Sequence, residues 1–308
     1  MSAFKILVTS QKGGVGKSTL SANLAAFLQR QGQAVTLIDF DTHGSSSTWL
    51  KRAPNIGLVI QHQLLPLSHG GSRPVMDARL HLRRAANSSD VVVCDLTWTD
   101  GIGGELMFEY DLVIVPTSVS EIELAATAGF LNRHRWVFDS AIRPPPTLLL
   151  TPTRLRQEQL QSDCFSKQRF AVSFMLAPPV LESQGARDMF EHGYLMDLQD
   201  DCGQSFVQFG QAVLTAREML NATGRAPSAP TSALNEAPSP PPITAADNPT
   251  RLRMVTDLSS HCSVLGRHRM EKTRDTESTG QTVGSISLAS ISLPQFLKRF
   301  KSSTVEPS

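Results

Sequence analysis

Hydrophobic positions along the first two-thirds of the chain fall into two alternating patterns. Short apolar runs, "FKILVTS", "AVTLIDF", "DVVVCDL", "DLVIVPT" and "TLLLTPT", are long enough for strands buried on both faces. Between them, apolar residues recur every three or four positions, as on one side of a helix. In "KSTLSANLAAFLQRQG", Leu20, Leu24 and Phe27 share such a face, and Gly32 closes the segment. "EIELAATAGFLNRHRWVF" reads as a further helix, and "FVQFGQAVLTAREMLNATG" as a last one ending at Gly224. Strands separated by helices predict an α/β domain over residues 1–224, with a mostly parallel sheet carrying helices on both faces.

From about Ala226 the pattern stops. "APSAPTSALNEAPSPPPITAADNP" has almost nothing to bury, which predicts a flexible Pro/Ser-rich linker over residues 225–290 and a disordered C-terminal tail. "SLPQFLKRFKSS" regains a period. As a helix over 291–302 it sets Leu293, Phe296, Leu297 and Phe300 on one face, with Lys298, Arg299 and Lys301 elsewhere. Contact with a membrane, docking on the chain's own domain or on a partner, and no role at all stay open for this segment. Residues 303–308 are expected to be a disordered end.

Composition narrows the picture only a little. A chain of 308 residues can bury a full core, and 40% hydrophobic with 19% charged residues is ordinary for a soluble globular protein. A net charge of +1 neither favours nor excludes nucleic acid, so any basic face must be local. Cys94, Cys164, Cys202 and Cys262 form no C-x-x-C pair, which fits neither a zinc site nor a disulfide framework and points to a reducing cytoplasm. Neither a membrane span nor a signal peptide is expected, because the apolar runs are short and the first leads directly into a glycine loop.

That loop carries the chemistry. In "TSQKGGVGKSTL", residues 9–20, the pattern G-x-x-x-x-G-K-[ST] is complete except that Gln11 stands where its first glycine belongs, followed by an additional lysine, Lys12. Gly13, Gly14, Val15 and Gly16 would let backbone N–H groups surround phosphate oxygens, with the positive end of the next helix behind them. Lys17 would reach the β- and γ-phosphates, the Ser18 hydroxyl would hold Mg²⁺, and Thr19 would lie nearer the α-phosphate. Asp39 and Asp41, at the end of the strand "AVTLIDF", can support Mg²⁺ and position or activate water. Asp95, ending the run "DVVVCDL", can act on Mg²⁺ through water.

With Lys12 included, the loop resembles the deviant Walker A motif of the ParA/MinD ATPases. "DFDTHGSSSTW" is similar to that family's D-x-D-P-Q-G-S element, with Thr42 and His43 in place of Pro and Gln, and "DLVIVPTSVSEIELAAT" also looks like the family. The resemblance covers residues 3–222 and implies a P-loop NTPase fold, ATP and Mg²⁺ as cofactors, and an ATP-dependent homodimer. In such a dimer Lys12 would reach the phosphates bound by the partner subunit and stabilise charge on the γ-phosphoryl group. Lys12, Lys17 and Asp41 would then be catalytic, with Ser18, Asp39 and Asp95 serving Mg²⁺. Two further places depart from the family: "LTWTDGIGG" replaces its proline-containing switch after Asp95, and Thr151 stands where it presents an adenine-reading Asn.

The resemblance also implies working surfaces. Arg187 and Gly193 in "LESQGARDMFEHGYLMDL" match a late family pattern whose arginine helps bind DNA without sequence preference. Arg133, His134, Arg135, Arg154 and Arg156 would extend it into a basic strip. The segment containing Phe296 and Phe300 looks like the membrane-targeting helix of MinD. The expected function is therefore an ATPase switch that partitions or positions a plasmid, chromosome region or large complex on DNA, in the cytoplasm and at the nucleoid, stimulated by a protein partner. The alternatives are a spatial regulator bound peripherally at the inner membrane and an accessory ATPase of a conjugation or polysaccharide-export system.

Overall fold

The computed structural model describes residues 2–66, 72–161, 170–190, 192–222 and 298–300. Nine strands form its sheet: β1 (Phe4–Ser10), β2 (Val35–Asp39), β3 (Val59–His62), β4 (Val91–Thr97), β5 (Leu112–Thr117), β6 (Thr147–Leu155), β7 (Phe174–Leu176), β8 (Val180–Leu181) and β9 (Lys298–Phe300). Their order is β3-β2-β4-β1-β5-β6-β7-β9, with β8 paired to β6. The pairings are parallel except that of β7 with β9. The helices are α1 (Lys17–Arg30), α2 (Ser45–Arg52), α3 (Arg73–Ala86), α4 (Glu121–Arg133), α5 (Arg135–Phe138), α6 (Gln184–Asp188) and α7 (Asp201–Ala222).

The unbroken apolar runs are explained by cores on both sides of the sheet. Successive side chains of a strand point to opposite faces. Thus Ile6, Val8, Leu37, Val93 and Ile114 pack with Leu24 and Phe27 of α1 and Phe206 and Phe209 of α7. Leu7, Ile38, Val92, Cys94 and Val113 pack with Leu82 of α3 and Leu124 and Phe130 of α4. The approach of α7 to α1 needs a bare backbone, because a Cβ on Gly210 would stand 2.6 Å from the Phe27 ring.

One expected helix is two. "EIELAATAGFLNRHRWVF" breaks at His134, whose buried ring packs on Trp98 and Phe130 at centroid distances of 5.2 and 4.7 Å. Its Nδ1 lies 3.0 Å from the Phe130 carbonyl oxygen.

The C-terminal segment needs a larger correction. Lys298–Phe300 were expected inside a helix, yet they form β9 and pair antiparallel with β7, Phe300 opposite Phe174. A helix this short is marginal in water, whereas a sheet edge offers unpaired N–H and C=O groups that an added strand satisfies. Leu293, Phe296, Leu297, the linker at 225–290 and the end at 303–308 lie outside the described residues. Among the described residues, no helix is long and apolar enough to cross a membrane.

The topology gathers the chemistry at one end. β1 lies between β4 and β5, so the chain leaves β1 toward one half of the sheet and later returns to build the other. Ligands of open α/β sheets bind beyond the strand C-termini at such a reversal. The segments after β1, β2 and β4 all emerge there.

Candidate functional site

Between β1 and α1 the chain turns through Gly14 and Gly16, whose φ angles of 77° and 86° lie in the left-handed region that favours glycine. A Cβ on Gly13 or Gly14 would meet nothing within 4 Å, so this part of the loop faces open space. No side chain caps α1. The N–H groups of its first turn are therefore free to meet an anion, and the helix dipole favours one there.

Lys17 crosses this opening. Its Nζ lies 2.7 Å from Asp95 Oδ1, 3.0 Å from Asp41 Oδ2 and 3.4 Å from Ser18 Oγ. Asp95 comes from β4, in register with Val8 of β1 and Asp39 of β2. The carboxylates of Asp95 and Asp41 thus reach one ammonium group from a strand and from the loop after another. Asp41 also accepts a hydrogen bond from Thr97 Oγ1 at 2.5 Å.

Asp39 is wholly buried, and each of its oxygens accepts a backbone N–H, from Asp41 at 3.0 Å and from Ser47 at 2.9 Å. It pins the loop that presents Asp41 to the start of α2. His62, from the edge strand β3, holds the same loop from outside, with Nε2 2.8 Å from the Asp41 carbonyl oxygen. A Cβ on Gly44 would sit 2.8 Å from that ring, which explains the small residue there.

Charge in the cluster is finely balanced. Burial works to lower the Lys17 pKa, but the fields and hydrogen bonds of Asp95 and Asp41 outweigh it, and the net shift is upward. Burial works to raise the Asp41 carboxyl, but the bond from Thr97 and the Lys17 ammonium bring it below its ordinary value. Burial pushes Asp95 up against the pull of Lys17. Asp95 Oδ2 is buried without a hydrogen-bond partner, a condition that calls for an explanation in a native structure.

The open glycine cradle, the uncapped helix, Lys17 and the spare Asp95 oxygen fit a nucleotide triphosphate with Mg²⁺. Among the described residues, no group of three or more His, Cys, Asp and Glu side chains converges on a metal position. Ser18 and Asp95 would supply only part of a coordination shell, as is usual for Mg²⁺ held jointly by protein, phosphate and water.

Known proteins resemble this chain in sequence and in fold. Residues 6–291 match the model of the CobQ/CobB/MinD/ParA nucleotide binding domain. The chain belongs to this family. It is 30% identical over 223 residues to the maintenance of carboxysome distribution protein A of Halothiobacillus neapolitanus, an alignment covering 71% of this chain and 94% of that one. It is 34% identical over 129 residues to the chromosome-partitioning ATPase Soj of Thermus thermophilus, covering 41% of this chain and 51% of that one. A putative plasmid partition protein from Borrelia burgdorferi bound to AMPPNP has the same fold, with a TM-score of 0.53 at 18% identity over 70% of this chain and 99% of that chain.

In this MinD/ParA-family chain the second lysine stands at the rim of the loop. Lys12 Nζ is 3.4 Å from Glu123 Oε1, and the lysine side chain is 39% exposed. Ser120, the N-cap of α4, donates its hydroxyl to Glu123 Oε2 at 3.0 Å and accepts from the Glu123 N–H at 3.4 Å. Gln11, the residue that departs from the general loop pattern, accepts from Arg133 at 2.9 Å. Arg133 also reaches Asp100, at 3.2 Å. The loop is thereby tied to both ends of α4.

Other expected sites are redistributed. His134 is buried and Arg135 pairs with Asp139 at 2.7 Å, so the proposed basic strip is interrupted. Arg187 is exposed and paired with Glu182 at 3.0 Å. It lines a cavity of about 260 Å³ shared with Gly16, Thr19, Trp49 and Arg154. Gly193 fixes this wall, its carbonyl accepting from Trp49 Nε1 at 2.9 Å. Thr151 is buried within β6 with its hydroxyl unpartnered, and it is Thr153 and Arg154 that line the cavity. Thr153 Oγ1 donates to the Val15 carbonyl at 2.7 Å, and the Arg154 guanidinium donates to the Gly14 carbonyl. No motif announces this support; the signal available was a strand ending in hydroxyl and guanidinium groups, "TPTR".

Proposed function

We propose that this MinD/ParA-family chain is a Mg²⁺-dependent ATPase that dimerises when ATP is bound and uses the dimer as a DNA-surface switch to partition or position a plasmid, chromosome region or large complex. The observation that carries the reading is Lys17 held between Asp41 and Asp95 at the mouth of a glycine loop whose rim presents a second, half-exposed lysine, Lys12. Within it, Lys17 bears on the transferred phosphoryl group, Asp41 positions the attacking water, and Lys12 acts across the dimer. The relative matched over 94% of its length is named for carboxysome distribution, which supports a large cargo. A protein partner would accelerate turnover.

Binding to long non-specific DNA, compared with ATP and with ADP at low and moderate salt, tests the proposal. ATP-dependent, salt-sensitive binding lost in Lys12→Ala and Lys17→Ala is expected. Dimerisation with ATP but no DNA binding would remove the DNA surface from it. The membrane reading has less support, because Lys298–Phe300 lie in a strand and not on the face of an amphipathic helix.

A further inference from the structure

Arg154 is the one non-glycine residue among the described residues with φ in the left-handed region, at 57°. Left-handed backbone is unfavourable for a side chain such as arginine and persists where surrounding structure enforces it, often where a function uses it. Arg154 sits near the end of β6, where the pairing with β8 shifts register between Thr153 and Leu155. That irregularity turns its side chain along the phosphate loop: a Cβ built on Gly16 would be 4.0 Å from Arg154 Cγ, and the guanidinium bonds the Gly14 carbonyl.

Two further observations place this cation beside the ligand path. Arg154, Gly16 and Thr19 line the same cavity of about 260 Å³, so it continues directly from the loop and the first turn of α1. The charged pair on its wall, Arg187 with Glu182, is internally neutralised at 3.0 Å. The partner recorded for Arg154 is a neutral carbonyl, which leaves its charge uncompensated by that contact. A guanidinium presents a planar fork of donors suited to phosphate oxygens.

We propose that Arg154 is a nucleotide-contacting residue that places its guanidinium on the phosphates of the bound nucleotide from the cavity side of the loop. The inference rests on the nucleotide-binding reading above and adds to it a specific residue with a distinct strained backbone.

The test is titration of the full chain with fluorescent N-methylanthraniloyl ATP and ADP in the presence of Mg²⁺, together with thermal melts of the ligand-free protein. Arg154→Ala is expected to raise Kd about tenfold or more for both nucleotides, and Arg154→Lys to recover part of the loss. Arg154→Gly relieves the backbone without restoring the cation, so it should melt higher than Arg154→Ala and bind as weakly. Unchanged Kd in Arg154→Ala would overturn the proposal, as would an Arg154→Gly variant that binds like the wild type, since the residue would then only shape the loop. If the wild type bound neither nucleotide, the broader reading would fail with it; if it bound both and the variants matched it, the assignment of Arg154 alone would fail.

Discussion

Lys12 and Glu123 meet at 3.4 Å across the rim of the phosphate loop, joining the first residues after β1 to the first turn of α4. Burial works to raise the Glu123 carboxyl, but bonds from Ser118 and Ser120 and the Lys12 ammonium bring it below its ordinary value. The glutamate is therefore an anionic rest for a lysine proposed to act on another subunit. Reaching a partner requires leaving that rest.

A partly exposed pair of this kind is worth roughly 0.5 kcal/mol. Glu123→Gln should accordingly raise dimer formation with a non-hydrolysable ATP analogue by about twofold, in the same range as that energy. Sedimentation velocity measures it. A fall in dimerisation would show that Glu123 assists assembly and does not restrain it.

Lys17 is the cation that keeps Asp95 company in the interior. Its removal in Lys17→Ala should cost about 3 kcal/mol of stability, the scale seen when one partner of a buried pair is lost. Lys17→Met/Asp95→Asn should recover most of it, because no buried charge is left alone. Urea unfolding of the three proteins gives the comparison, and equal stability of the two variants would contradict this account.

The lowered carboxyl of Asp41 sets a pH dependence. A group whose folded pKa lies below its unfolded value near 3.8 contributes stability above that pH and loses it as pH falls through the folded pKa. The stability difference between wild type and Asp41→Asn should be constant near neutrality and shrink below about pH 4. Thr97→Val removes the bond from Thr97, brings the folded value closer to the unfolded one, and should make that acid loss smaller. Acid titrations at fixed urea read both effects.

β9 covers an edge that β7 would otherwise expose. Deleting residues 291–308 should accelerate hydrogen exchange at the amides of Phe174–Leu176 while leaving those of β1 unchanged, because β5 and β6 separate β1 from β7. Mass spectrometry of the exchanged peptides checks this. Equal exchange in both forms would show that the strand pairing does not protect the edge in solution.

The parts legible in the sequence were those that are buried on both sides. β1, β2, β4, β5 and β6 are continuous apolar runs because each separates two cores. β3 was not legible: "VIQH" is half exposed and carries no such run. β7 and β8 are too short to show a period. In the site, the loop and Lys17 were legible from spacing, and Asp41 and Asp95 from their places after or within apolar strands together with the family resemblance. Glu123, His62, Thr153 and Arg154 act through contacts between distant segments, and local sequence does not encode those.

The 13 residues of α4 span about 20 Å, and each end is fastened to a different piece of the site. At its start, Glu123 holds Lys12. Past its end, His134 packs on Trp98, three residues beyond Asp95. A strut fastened in this way links the strand carrying Asp95 to the rim that holds Lys12 through one continuous helix. In the proposed dimer, the two ends of that strut would join the nucleotide loop to the surface where a second subunit arrives.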